Sequence, residues 1–377
     1  MSKKLNSIIL LAILSLIIPG FCFKVLSAFS SSCMDNGIEY KLDPENKTAS
    51  LIDGRGGSGN IEIPGTIVDA GVSYSVTSIG ERAFSGSLVK SISLPDSIEV
   101  INSGAFERCE NLMTISLSEN LKKIDNDAFF WSGITYIMIP DSVESIGERA
   151  FGQCARLVHA KMPENISYCG KELFSGCILL EDINLPTNIQ VIPEKMFYGC
   201  EKLTEITIPL GVETIGPSAF VHCKFGDIEF PPTLKTIGAH AFDYCSGLDY
   251  IVLPENTLTI GDGAFARCEN LSYIEIPESV VSVGEHAFGS SDPTDLTKLK
   301  KVVCIRNSYV DVEKPFFFWV QYGVTYPEFS YKVSGASAAG SIFGEYSFMA
   351  YVAVGIFLIA IVMGIITIFK GKSENEI

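Results

Sequence analysis

The feature that most narrows what this chain can fold into is a phenylalanine that returns every 22 or 23 residues. It stands at Phe84, Phe106, Phe129, Phe151, Phe174, Phe197, Phe220, Phe242, Phe265 and Phe288. Around each lie an Ala-Phe-like step, often a Cys three residues on, a Leu-x-x-Ile-x-Ile-Pro stretch and an Ile-Gly pair. A period this strict marks a repeat array rather than an ordinary globular domain. One such unit cannot bury its apolar side alone. Stacked on its neighbours, each equivalent position becomes a column, and the columns are the core.

One unit shows the local logic. Leu203, Ile206 and Ile208 carry the alternation of a strand. Pro209 cannot donate to a ladder and ends it. Gly216 suits a turn with unusual backbone angles. The segment around Ala219-Phe220 has room for one helical or 3-10 turn. The expected core is the Phe column together with a second column of Cys154, Cys177, Cys200, Cys223, Cys245 and Cys268, preceded by Cys109. Coils about 4.8 Å apart bring neighbouring α-carbons within disulfide reach, but in-register thiols rarely meet the torsion requirement. The expectation is buried free thiols acting as small hydrophobes. No Cys-x-x-Cys pair is present and the histidines do not cluster with the column, so no metal is expected. Cys169 replaces the usual Ile before Gly170, in a slot expected to be buried.

The stretches Ser145-Ile146-Gly147-Glu148-Arg149-Ala150-Phe151-Gly152-Gln153-Cys154 and Cys268-Glu269-Asn270-Leu271-Ser272-Tyr273-Ile274-Glu275-Ile276-Pro277 resemble the leucine-rich repeats of BspA-like surface proteins, as does the lead-in Gly71 to Gly80. The resemblance covers roughly residues 37–289. It implies a leucine-rich-repeat solenoid with parallel β-strands and short helical or 3-10 turns. It also implies a surface adhesion or binding role.

The order of the chain fits a displayed protein. Residues 1–28 read as a secretory signal, with Lys3 and Lys4 before an apolar run too short to span a bilayer. Residues 29–77 read as a β-hairpin cap for the first coil, with Gly54 to Gly59 as a flexible loop. The array occupies 78–289. Residues 290–332 read as a last strand and an aromatic C-terminal cap, and 333–347 as a juxtamembrane stalk. Residues 348–369 form an uncharged apolar run long enough for a transmembrane helix. Lys370 and Lys372 place the 370–377 tail in the cytoplasm. A single-pass type I plasma-membrane protein with an extracellular ectodomain follows. Asn46, Asn165 and Asn270 fit the glycosylation acceptor pattern.

The formal net charge of −16 argues against nucleic acid as a partner and favours basic partners, divalent cations or merely solubility. His159, His222, His240 and His286 fall in different repeats, and no nucleophile elbow, zinc-protease or phosphate-loop motif is present, so neither catalysis nor a cofactor is expected. In a leucine-rich-repeat coil the polar strand positions face the concave sheet. Asp182, Glu205, Asp227 and Glu229 then lie side by side, with Glu181 at the edge and Tyr250, Tyr273 and Glu275 on the next two coils. These are the candidate partner-binding residues, toward an extracellular protein or glycan. The expected function is non-catalytic surface recognition or adhesion. The alternatives are a pattern-recognition receptor signalling through a partner subunit, or an abundant coat protein.

Overall fold

The computed structural model describes residues 32–289, 301–305 and 328–332. The signal, the 290–298 loop, most of the aromatic segment, the stalk, the apolar run and the tail lie outside the described residues. The rest is a parallel β-solenoid of about ten coils with a leucine-rich-repeat fold. One contiguous apolar cluster runs through it from Ile38 to Phe288.

Each coil has three sides. The first, which the sequence reading takes as concave, carries the longer strands. Ser58–Glu62, Leu88–Ser93 and Thr114–Ser116 pair in parallel, as do Tyr136–Met138, His159–Lys161 and Asp182–Asn184. Toward the C-terminal end, Tyr250–Val252, Tyr273–Ile276, Lys301–Ile305 and Glu328–Lys332 form a third parallel group. Most of these strands stop short of proline, whose carbonyl instead closes a turn, as when Val143 N–H donates to Pro140 O.

The second side is a ladder of two-residue strands, most of them ending in Ile and most followed by Gly. It runs from Val100–Ile101 through Tyr168–Cys169, then resumes from Val191–Ile192 to Ser282–Val283. The residue after each strand donates to the previous coil: Gly147 to Ile124 O at 2.8 Å, Gly216 to Ile192 O at 2.8 Å. Pro193 occupies this position in the coil after Cys169 and has no N–H to give. The ladder breaks there, and Cys169 is only partly buried rather than sealed in the core.

The third side holds the Ala-Phe step, and it differs from the expected helical or 3-10 turns. No helix of either kind occurs among the described residues. Instead, the residue two before each Phe, and from Phe84 to Phe265 the residue two after it, take positive φ, as at Arg149 (52°) and Gln153 (57°) around Phe151. A left-handed residue every fourth position cannot propagate a helix. It makes consecutive tight turns instead, such as Ser85 N–H to Arg82 O and Ser87 N–H to Phe84 O. The amides between point at the next coil: Arg149 donates to Lys171 O, Phe151 to Leu173 O and Gln153 to Ser175 O.

Gly216 and its equivalents therefore have a different job from the one expected. Their φ is ordinary, and they let coils approach. A Cβ at Gly216 would lie 2.7 Å from Glu194 N and 2.8 Å from Ile192 O. The unusual angles fall on Arg, Asp, Glu, Lys, Ser and His two residues before the Phe.

The Phe rings form an unbroken stack from Phe84 to Phe288, with centroids 5.0 Å apart at Phe106–Phe129 and 6.0 Å at Phe265–Phe288. Its N-terminal end is closed by the cap. Ser32–Asp35 and Ile38–Asp43 form an antiparallel hairpin, and Thr48–Asp53 pairs both with Ile38–Asp43 and, in parallel, with Val72–Ile79. Within the Gly54 to Gly59 stretch, Gly54 packs against the first coil, and Ser58 and Gly59 open the strand Ser58–Glu62. Gly54 N–H donates to Ala83 O at 2.7 Å, and a Cβ at Gly54 would run into the Phe84 ring.

Candidate functional site

The exposed faces of the first side are set by strand alternation. Ile183, Ile251 and Ile274 point inward and are buried, so the residues flanking each point out. Register then fixes neighbours. Tyr136 lies beside His159, His159 beside Asp182, and Lys161 beside Asn184. Tyr250 lies beside Tyr273, and Val252 beside Glu275.

Between Asp182–Asn184 and Tyr250–Val252 the sheet opens. The two intervening segments, 204–208 and 226–230, are not strands, although Leu203, Ile206 and Ile208 carry the strand pattern. Among the described residues no inter-coil backbone hydrogen bond joins them, and only Lys224 N–H to Leu203 O links their starts. The cause is local sequence. Cys223-Lys224-Phe225 is one residue shorter than Cys200-Glu201-Lys202-Leu203, and Phe225 and Phe230 stand in the Leu203 and Ile208 columns. Both rings pack edge-on against the Phe column, Phe225 on Phe220 at 5.3 Å and Phe230 on Phe242 at 5.6 Å. Ile206 and Ile228 are left only partly buried.

The acidic row spans this opening. Glu181, Asp182, Glu205, Asp227 and Glu229 are exposed. Asp182, Glu205, Asp227 and Glu229 form no salt bridge among the described residues. Asp182 stands on a regular strand, whereas Glu205, Asp227 and Glu229 stand on the open segments. Tyr250 is 51 % exposed. Tyr273 and Glu275 are partly buried and tied to each other, the Tyr273 hydroxyl donating to Glu275 Oε2 at 2.7 Å. Burial first, and then that carboxylate, push the Tyr273 phenol up to about 12.

The site extends further than the acidic row. Tyr136 and Met138, the latter 52 % exposed, form an apolar patch two coils before Asp182, with His159 and Lys161 between. They stand in the same two sequence columns as the acidic residues, and their exposure is the signal that groups them with the site.

Among the described residues no group of three or more His, Cys, Asp or Glu side chains is placed to hold a metal ion. The repeat thiols are free and buried. Burial drives the pKa of Cys109, Cys154, Cys177, Cys200, Cys223 and Cys245 upward, Cys154 to about 11. Of the glycosylation candidates, Asn46 and Asn270 are exposed but hydrogen bonded, to Asp43 Oδ2 at 2.8 Å and Ser246 O at 2.6 Å. Asn270 thus lies at the surface. Asn165 is exposed.

A model of the BspA type leucine-rich repeat region, in six copies, matches residues 77–204 and 169–297, more than half of the chain. The chain belongs to the BspA-type leucine-rich-repeat family. Solved structures similar to it include a leucine-rich repeat protein from Bacteroides ovatus, 22 % identical over 80 % of this chain and 99 % of that one, with a TM-score of 0.42. A leucine-rich cell surface protein from Faecalibacterium prausnitzii is 22 % identical over 76 % and 88 %, with a TM-score of 0.49. The pneumococcal vaccine antigen PcpA is 20 % identical over 73 % and 87 %, with a TM-score of 0.41. Comparison with curated proteins finds no match. The BspA-type match indicates no catalytic family. Among the described residues no helix is long and apolar enough to cross a membrane.

Proposed function

We propose that this BspA-type protein is a surface-displayed recognition protein whose strand face binds an extracellular protein or glycan with basic character. In this reading residues 1–28 direct secretion, 29–77 cap the array, 290–332 close its other end, and 333–377 tether it through one transmembrane helix at 348–369. The ectodomain then stands outside the plasma membrane, and its task is adhesion rather than catalysis.

One observation carries the reading: the row Asp182, Glu205, Asp227 and Glu229, exposed and without ion-pair partners among the described residues, lies across the open part of the sheet. Like charges on adjacent coils repel by a few tenths of a kcal/mol or more per close pair. The row gives the fold no compensating contact. Tyr136 and Met138 on one side and Tyr250 and Val252 on the other supply the exposed aromatic and apolar anchors common at interaction hot spots. A cationic partner is steered by the row and held by the anchors.

The test is binding of the purified chain to intact cells and extracellular matrix at low and physiological salt. Saturable binding that weakens as salt rises supports the reading. Binding to no surface at either salt sinks it.

A further inference from the structure

A second site lies on the turn side of the last coils, away from the strand face. In the column two residues before each Phe, Gly263 stands between His240 and His286. Beside Gly263, where the His240 ring packs so close that a Cβ would lie 2.6 Å from it, is a notch of about 160 Å³, walled by His240, Asp262, Arg267, Glu285 and His286. The notch is held by groups beneath it. Asp243 is buried and accepts from Arg267 Nε at 2.9 Å and from Arg267 Nη2. His240 Nδ1 lies 3.2 Å from the same carboxylate. The Arg267 guanidinium also sits over the Tyr244 ring at 4.3 Å, and Tyr244 stacks on His222 at 4.5 Å. Two walls are thus fixed before any ligand arrives, which is what a preorganised site requires.

The chemistry of the walls selects the occupant by elimination. An anion is opposed by Asp262 and Glu285, and the charge of Arg267 is already matched by Asp243. A divalent cation meets the Arg267 cation and lacks a three-ligand set. An apolar ligand finds one apolar side chain, that of Ala266, in the lining. A neutral polyhydroxylated ring suits all of it, since every hydroxyl both donates and accepts. Carboxylates accept, the guanidinium donates, and imidazoles do either. The volume is below the roughly 300–1,000 Å³ of pockets for drug-sized ligands, so one ring fits and a chain does not. From this notch we infer that the turn side binds a single neutral pyranose unit of a glycan, independently of the strand face.

The test uses the full-length protein and saturation-transfer NMR with methyl glycosides of neutral hexoses and N-acetylhexosamines, with sialic acid and Ca²⁺ in parallel. At least one neutral glycoside binds saturably. Gly263→Asn, which keeps a residue tolerant of left-handed backbone but drives its Cβ into the His240 ring and displaces that wall, weakens it at least tenfold. Glu285→Gln alters only an exposed wall side chain and also weakens it, so the result stands even where the glycine variant misfolds. Changing Asp182, Glu205, Asp227 and Glu229 to Lys leaves glycoside binding unchanged, which separates this site from the strand-face reading. The inference is overturned if no neutral glycoside binds, if binding survives Glu285→Gln together with a folded Gly263→Asn, or if sialic acid or Ca²⁺ binds in preference.

Discussion

The thiol of Cys177 donates to the backbone carbonyl of Phe151, one coil earlier, across 3.2 Å. The same bond recurs from Cys109 to Phe84, Cys154 to Phe129, Cys200 to Phe174 and Cys268 to Phe242. Each of these Phe carbonyls thus accepts an amide from its own turn and a thiol from the next coil. The cysteines are more than small apolar fillers: they tie the two main core columns together. Where serine takes the position, at Ser87 and Ser132, its hydroxyl contacts the next thiol at 3.5 and 3.4 Å.

This arrangement makes stability fall in alkali. Burial raises the thiols of Cys109, Cys154, Cys177, Cys200, Cys223 and Cys245 above their ordinary value of 9.0, Cys154 to about 11. Below pH 9 folded and unfolded thiols are both protonated and nothing is lost. Above it the unfolded chain releases protons that the folded chain retains, so stability drops as pH rises toward the folded value. Between pH 9 and 10 the loss is on the order of 1 kcal/mol per thiol. Melting temperatures at pH 8 and 10 should therefore diverge more in the native chain than in a variant with Cys154, Cys177, Cys200, Cys223, Cys245 and Cys268 changed to Ser. Parallel pH profiles would contradict the claim.

The Phe stack predicts a large penalty for a gap. Phe197 lies 5.9 Å from Phe174 and 5.5 Å from Phe220. Phe197→Ala should cost roughly 3–5 kcal/mol in denaturant unfolding. A variant whose unfolding curve overlays that of the native chain would show that the stack is not continuous.

Glycines split into two classes with opposite expected behaviour. A Cβ at Gly238 would lie 2.6 Å from Pro217 N and 2.7 Å from Gly216 C, whereas at Gly226 it meets nothing within 4 Å. Gly238→Ala should destabilise by roughly 1–3 kcal/mol, because rigid backbone must move. Gly226→Ala should be neutral or stabilise by under about 1 kcal/mol. Equal effects at the two sites would refute close coil approach as the reason for the Ile-Gly pair.

Thr257 offers a gain. It is buried in the column that elsewhere carries Val212, Leu234 and Val280, and its hydroxyl has no hydrogen-bond partner among the described residues. Thr257→Val keeps the shape and removes an unsatisfied polar atom, and should stabilise by about 1 kcal/mol. A thermal melt settles the sign; a lower melting temperature would mean the hydroxyl is bonded in solution.

The architecture was legible because column-forming residues must recur once per coil. Phe84 through Phe288, the Cys column and Pro209-type strand ends all announce themselves by spacing. The turn geometry was not legible, since left-handed angles fall on Arg149, Glu172 and Lys195, residues that carry no sign of it, while Gly216 suggested them and lacks them. Hydrogen bonds between stacked turns impose those angles, and single-residue preference does not reveal such bonds. The strand pattern of Leu203, Ile206 and Ile208 was overridden from the next coil, by the one-residue deletion and the bulk of Phe225 and Phe230. The candidate residues Asp182, Glu205, Asp227, Glu229 and Tyr250 could be read as columns. That Tyr273 and Glu275 spend their polar groups on each other could not.

The most direct test of the account compares two charge reversals of equal size. One variant changes Asp182, Glu205, Asp227 and Glu229 to Lys. The other changes Glu110, Glu164, Glu201 and Glu255, exposed acids off the strand-face columns, to Lys. Both alter net charge equally, so nonspecific electrostatics cancels. With both folded by circular dichroism, saturable binding to cells or matrix should be lost in the first and kept in the second. Equal loss in both, or retention in the first, would contradict recognition through the strand face.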